Sequence, residues 1–129
     1  GLTPKDMEKI IAKEKMEIAE RTELYGKWGI LPELKNHTVI LVDDGIATGY
    51  TVKAALTSLR KQTGNPIILA VPVLPEDLVP SFESLADRLI YLHAPYDFRA
   101  VGQFYDDFSE IPHQGVLKII EETNKLISL

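Results

Sequence analysis

The sequence contains no cysteine, which excludes a disulfide framework and any metal site built on thiolates. Acidic residues outnumber basic ones, 19 against 14, so the net charge is −5 and general binding to nucleic acid or anionic membranes is not expected. The apolar runs fall well short of the about 18 residues that a membrane span needs. A hydrophobic content of 45% over 129 residues excludes disorder and is enough for one globular domain with one core.

The first residues, Gly1-Leu2-Thr3, include neither an initiator Met nor the pattern of a signal peptide. This start favours a processed form or a piece of a longer protein. Because no targeting or membrane-spanning segment is recognisable, we expect a cytoplasmic location.

The spacing of apolar residues predicts an α/β fold. The start Thr3-Pro4-Lys5-Asp6 predicts a helix that ends near Gly26, followed by a loop over 26–32. Strand–helix–strand–helix–strand order in the middle of the chain is typical of a parallel sheet flanked by helices, and the first strand is expected to be central and buried on both faces. The predicted strands are Val39–Val42, Ile67–Val73 and Leu89–Leu92, the helices between them lie near 52–62 and 78–86, and a closing helix is expected near 116–127.

The segment 43–51 directly follows the first predicted strand, at the position where open parallel sheets bind ligands. It begins with Asp43 and Asp44 and continues through small and hydroxyl residues into the next helix. Small residues let backbone N–H groups turn toward an anion, and a helix N-terminus adds favourable partial charge. The two carboxylates would repel a phosphate and suit vicinal hydroxyls. Ribose hydroxyls at one end and a 5′-phosphate at the other therefore fit this segment.

The thirteen residues 39–51, VILVDDGIATGYT, resemble the phosphoribosyl-pyrophosphate (PRPP) motif of type I phosphoribosyltransferases. The resemblance implies a phosphoribosyltransferase-like (Rossmann-like) α/β fold and transfer of the phosphoribosyl group of PRPP to a nitrogenous base or related acceptor. Pyrophosphate would be released, with Mg²⁺ as cofactor. Asp43 and Asp44 would be the catalytic pair, holding the ribose 2′- and 3′-hydroxyls and favouring the developing positive charge. The PRPP-binding residues would be Asp43, Asp44, Gly45, Ile46, Ala47, Thr48, Gly49, Tyr50 and Thr51.

Two other interpretations of the acidic pair compete with this one. A strand that simply ends in a polar turn does not account for the joint pattern of acids, small residues and Thr-Gly-x-Thr. A phosphoacceptor receiver domain also places two acids after its first strand, but it needs an Asp and a Lys after later strands. Here the second strand is followed by Leu74-Pro75 and the third by His93-Ala94-Pro95, which excludes that domain.

The aromatic stretch 98–108 is similar to a segment of hypoxanthine–guanine phosphoribosyltransferases in which an aromatic residue precedes Val-Gly and an Asp lies four residues after that Gly. By this resemblance Phe98 or Arg99 occupies the position that stacks on the base, and Asp106 falls near the base and the metal. No other metal ligand is indicated, since His37, His93 and His113 are scattered. The stretch is closer still to uncharacterised phosphoribosyltransferase-like proteins with a Val-Gly-Gln-Phe-Tyr-x-Asp-Phe run. From the residues alone, its aromatic side chains are expected in a core or an interface.

Type I phosphoribosyltransferases have strands before the PRPP motif, one of which leads to a loop that binds pyrophosphate. No such strand precedes Val39, so we expect residues 1–129 to form one phosphoribosyltransferase-like domain that is the C-terminal portion of a longer one. An open strand edge and a flat apolar face would then favour a homo-oligomer or pairing with the missing N-terminal segment. The alternative function is a non-catalytic module that senses PRPP or nucleotides. Since neither a basic face nor a DNA-binding domain is visible, the enzyme is favoured.

Overall fold

Three parallel strands form the sheet of this protein, whose structure is a computed structural model that describes residues 3–26 and 34–127. The strands are β1 (Val39–Val42), β2 (Ile67–Val73) and β3 (Arg88–His93), with β2 in the centre. Leu41, Leu69 and Leu89 lie side by side across the sheet. The helix α2 (Tyr50–Gln62) connects β1 with β2, and α3 (Val79–Leu85) lies between β2 and β3. The predicted parallel α/β architecture is confirmed.

One face of the sheet carries the core. Alternate residues of β2 are buried, as expected for a strand with helices on one side. The helices α2 and α3 supply the opposing side chains, among which Leu56 and Phe82 are almost completely enclosed. The core of this part of the chain consists of Ile46, Val52, Leu56, Leu59, Ile67, Leu69, Val71, Leu74, Phe82 and Ala86.

The other face of the sheet is open, and this corrects one expectation. The sequence predicts a first strand that is central and buried on both faces, but β1 pairs only with β2 among the described residues. Ile40 and Val42 point to the uncovered face and are 60% and 68% exposed. Leu92 of β3 is 85% exposed on the same face. The apolar run reflects a strand with a second apolar face, which the described residues between 34 and 109 do not cover.

The chain divides into two compact units, and the sheet belongs to the unit of residues 33–109. The other unit comprises residues 1–32 and 110–129 and contains α1 (Pro4–Tyr25) and α4 (His113–Ile127). The predicted start of α1 is confirmed by a capping box, in which Thr3 Oγ1 accepts from the Asp6 N–H at 3.2 Å and the Thr3 N–H donates to the Asp6 carboxylate at 2.9 Å.

The helix α1 ends where Gly26 adopts a φ of 52°, which confirms the predicted end. The loop predicted over 26–32 falls largely outside the described residues. No helix within the described ranges combines the length and the apolar character that crossing a bilayer would require.

Candidate functional site

The loop of residues 43–49 leaves the sheet at the carboxyl end of β1 and leads into α2. Two backbone hydrogen bonds tie it to β2: the Asp43 N–H donates to Ala70 O at 3.4 Å, and the Ile46 N–H donates to Val73 O at 2.9 Å. The Ile46 side chain is only 1% exposed and belongs to the core. The loop is therefore anchored at its middle as well as at its start.

The backbone of the loop at Gly45 lies close to the side chains of Val73 and Val101. A Cβ atom at this position would lie 2.9 Å from a methyl carbon of Val73 and 2.6 Å from one of Val101. Real side chains do not tolerate such contacts, so only glycine fits here without a shift of the neighbouring side chains or backbone. The residue that follows the acidic pair is thus fixed by packing.

The adjacent carboxylates of Asp43 and Asp44 open the loop, and both residues are exposed. The Asp44 N–H donates to Asp43 Oδ1 at 3.1 Å, which orients the first carboxylate. Neighbouring atoms partly desolvate that carboxylate, which raises the pKa of Asp43 above its ordinary 3.8; the hydrogen bond from Asp44 opposes the rise, and the Asp44 charge adds to it. Two acceptor-rich groups therefore lie side by side at the mouth of the loop.

At the other end of the loop, Gly49 makes the turn into α2. Its φ of 78° is left-handed, a conformation that glycine adopts without steric cost. Its carbonyl accepts from the Lys53 N–H at 2.9 Å, the first bond of the helix. Among the described residues no side chain caps this helix start, and its first turn contains no acid. The free N–H groups and the helix dipole therefore favour an anion.

A small cavity of about 140 Å³ lies inside this loop and joins its two ends. It is bounded by Asp43 on the acidic side and by Gly49, Thr51 and Val52 at the helix start. Except for Asp44 and Tyr50, all residues predicted to bind PRPP line it: Asp43, Gly45, Ile46, Ala47, Thr48, Gly49 and Thr51. The Tyr50 side chain is 78% exposed. One small cavity can thus present hydroxyl acceptors and an anion cradle together.

A larger cleft of about 660 Å³ adjoins the small cavity, because Ala47 and Thr48 line both. Its remaining walls come from the segments that follow β2 and β3, namely Pro75, Glu76, Asp77, Leu78, Tyr96, Phe98 and Arg99. The Phe98 ring is stacked on Phe104, with ring centroids 5.4 Å apart. Arg99 is paired with Asp97 at 3.5 Å. The cleft therefore combines an aromatic wall with two acidic side chains, at the carboxyl ends of all three strands.

Comparison with known proteins identifies the family. A model of the phosphoribosyl transferase domain matches residues 5–108, which is most of the chain. The chain belongs to the phosphoribosyl transferase domain family. This membership confirms the family predicted from residues 39–51.

Individual relatives agree with this assignment. The chain is 33% identical over 119 residues to two Mycobacterium tuberculosis proteins, "Putative phosphoribosyl transferase Rv0571c" of strain H37Rv and "Putative phosphoribosyl transferase MT0597" of strain CDC 1551. The match covers 92% of this chain and 27% of each relative. The crystal structure of TT1426 from Thermus thermophilus superposes with a TM-score of 0.68 at 30% identity, covering 94% of this chain and 62% of that one. The phosphoribosyltransferase-like fold is confirmed, and the chain spans about a quarter of the curated relatives' length.

Within this phosphoribosyl transferase domain, the two residues that the resemblance assigned to the base, Phe98 and Asp106, lie in different surroundings. Phe98 lines the larger cleft, but Asp106 is exposed beyond the 3₁₀ turn of residues 101–104 and lines neither cavity. Glu76 and Asp77 were not predicted as site residues from the sequence. Their position after β2 could have indicated them, because ligands bind beyond the carboxyl ends of all strands of an open parallel sheet and not only of β1.

Binding of Mg²⁺ requires oxygen ligands at the site. The described ranges contain no group of three or more His, Asp or Glu side chains that could hold a metal by themselves. Mg²⁺ is often bound by one or two carboxylates together with substrate phosphates and water. Asp43 and Asp44 fit that mode, in which the ion is held jointly with the substrate.

Replacing Gly49 with alanine should damage both the fold and the site. Alanine is strained at a φ of 78°, and its Cβ would lie 2.8 Å from the fully buried Phe82 ring. We expect a loss of about 2 kcal/mol in the free energy of unfolding. Denaturant unfolding measures this loss. Gly64→Ala is the matched control, since a Cβ at Gly64 meets nothing within 4 Å; equal losses in the two variants would contradict the role of the Gly49 turn.

Replacing Asp43 with asparagine should raise the thermal midpoint at pH 7. The pKa of Asp43 is higher in the folded protein than in the unfolded chain, so the charge costs stability once the pH exceeds the folded pKa. Below the unfolded pKa both states are protonated, and the advantage of the variant should disappear toward about pH 3. Asparagine keeps an oxygen that can accept from the Asp44 N–H.

Thermal unfolding between pH 7 and pH 3 checks this expectation. Glu83→Gln, on the exposed surface of α3, removes one charge from the same acidic chain and corrects for net charge. A midpoint for Asp43→Asn that stays equal to the original at pH 7, or falls below it, would show that Asp43 is not desolvated at a cost.

Proposed function

We propose that this protein transfers the 5-phosphoribosyl group of PRPP to a nitrogenous base or a related acceptor and releases pyrophosphate. The observation that carries the proposal is the cavity in the loop 43–49, which combines Asp43 with the uncapped N-terminus of α2. Family membership supports transfer from PRPP in general. The acceptor and the release of pyrophosphate are the parts proposed here.

PRPP would bind with its 5′-phosphate in the turn formed by Ala47, Thr48 and Gly49. Backbone N–H groups and the dipole of α2 favour the phosphate there, and the first turn of the helix contains no acid to repel it. The ribose 2′- and 3′-hydroxyls would donate to Asp43 and Asp44. A carboxylate accepts hydrogen bonds only, which matches the two hydroxyl donors of the ribose.

In the reaction, the bond between C1 of the ribose and the pyrophosphate oxygen breaks, and a bond between C1 and the acceptor nitrogen forms. The acceptor nitrogen loses its proton to the solvent or to a carboxylate. The pyrophosphate oxygen keeps the electron pair of the bond that breaks. Positive charge develops on the ribose ring in between. The carboxylates of Asp43 and Asp44 would favour that charge, and holding both reactants in place supplies most of the remaining catalysis. Asp43 and Asp44 would hold Mg²⁺ together with PRPP, and the ion would supply positive charge that favours the departure of pyrophosphate.

The larger cleft is the place proposed for the acceptor. It shares Ala47 and Thr48 with the small cavity, so an acceptor in the cleft would lie beside PRPP bound in that cavity. The Phe98 ring offers a flat apolar surface for a planar base. The carboxylates of Glu76 and Asp77 suit the N–H groups that nitrogenous bases carry.

Titration calorimetry with PRPP and Mg²⁺, and separately with ribose 5-phosphate, tests the proposal. Both ligands should bind, and Asp44→Asn should weaken both by about tenfold, because a charged acceptor of two ribose hydroxyls is lost. Glu83→Gln is the control for the change in net charge. If neither ligand binds the original protein, or if Asp44→Asn binds both as tightly, the ribose assignment is wrong.

Phe98→Leu tests the acceptor cleft. In a screen of nitrogenous bases that follows pyrophosphate release, the KM for the accepted base should rise about tenfold, because the stacking surface is lost, while the KM for PRPP stays the same. An unchanged KM for the base would remove Phe98 from the acceptor site. PRPP binding without pyrophosphate release for any base would favour the non-catalytic sensing module instead.

A further inference from the structure

The Tyr105 side chain donates its hydroxyl to the backbone carbonyl of Asp44 at 2.6 Å. The two residues are 61 positions apart in the chain. We infer that Tyr105 is a positioning residue for the acidic pair that holds the ribose of PRPP. The inference rests on the proposed function and adds to it a residue that does not itself touch the substrate.

The hydrogen bond from Tyr105 fixes the peptide group between Asp44 and Gly45, where the chain leaves the sheet. Asp43 still donates its N–H to Ala70 of the neighbouring strand, at 3.4 Å. The Asp44 N–H instead donates to the Asp43 carboxylate at 3.1 Å, and the Asp44 carbonyl accepts from Tyr105. With both backbone groups of Asp44 bonded, the peptide planes on its two sides have fixed directions. The Cα–Cβ bond of Asp44, from which its carboxylate extends, therefore has a fixed direction as well.

The Tyr105 ring is itself held in place. It packs against Phe108, with ring centroids 5.0 Å apart. The Tyr105 N–H donates to Gly102 O at 3.4 Å, which closes the 3₁₀ turn of residues 101–104. Phe108 also lies against Gly102, where an added Cβ would come within 3.0 Å of its ring. The Tyr105 hydroxyl therefore approaches Asp44 from a segment that ring packing and a backbone hydrogen bond hold in place.

A second contact from the same turn supports this role. Val101 packs against Gly45, the residue after Asp44, so closely that a Cβ there would lie 2.6 Å from its methyl carbon. Val101 and Tyr105 thus contact two successive residues of the loop, one by packing and one by a hydrogen bond. The aromatic segment that the sequence resemblance assigned to the base also supports the ribose end of the site.

Tyr105→Phe removes the hydroxyl and keeps the ring on Phe108. We expect the Kd for PRPP and for ribose 5-phosphate to rise about three- to tenfold, the effect of one net hydrogen bond. Titration calorimetry measures both affinities, and its stoichiometry reports the fraction of competent molecules. A positioning role raises the Kd at unchanged stoichiometry, whereas a merely structural role lowers the stoichiometry and leaves the Kd unchanged.

Tyr91→Phe is the matched control, because it removes a tyrosine hydroxyl from β3, away from both cavities. Its Kd should equal that of the original protein. Equal PRPP affinity of Tyr105→Phe and the original protein, or a loss of stoichiometry alone, would overturn the inference while the proposed function stands. Absence of PRPP binding by the original protein would overturn the proposed function, and the inference with it.

Discussion

The burial of Ile46 is the interaction on which the candidate site depends. Its side chain lies in the core at 1% exposure, and its N–H donates to Val73 O at 2.9 Å. A loop of small residues would otherwise sample many conformations, at a cost of about 1–2 kcal/mol for each residue that a ligand has to order. Anchoring the loop at its middle removes part of that cost before a ligand arrives. The acids before Ile46 and the turn after it are then held at opposite ends of one small cavity.

The acidic pair at the start of the loop carries an electrostatic cost. Partial desolvation raises the pKa of Asp43, the hydrogen bond from Asp44 opposes the rise, and the adjacent Asp44 charge adds to it. A sheet end without a ligand role would have little reason to place two like charges beside each other, since they destabilise the folded state. Residues that lower the stability of the folded state are expected at functional sites.

Local patterns predicted the parts of the fold that depend on local interactions. The capping box at Thr3, the three strands and the loop after β1 all follow from residues close together in the chain. The exposure of Ile40 and Val42 could not be predicted in this way, because an apolar strand has the same sequence whether or not its second face is covered. The bond from Tyr105 to Asp44 was equally invisible, since it joins residues 61 positions apart and depends on how the 3₁₀ turn of 101–104 packs.

In the proposed reaction, the wall that the two cavities share couples the position of bound PRPP to the position of the acceptor. Ala47 and Thr48 line both the cavity that would hold the ribose phosphate and the cleft that would hold the acceptor. Neither residue can move without changing both sites, so the separation between donor and acceptor depends on the same anchored loop. Catalysis by positioning requires reacting atoms about 3–3.5 Å apart, and small displacements are costly. In the proposed reaction, a loop fixed to the core by Ile46 and to the aromatic segment by Val101 and Tyr105 would serve that requirement without a protein nucleophile.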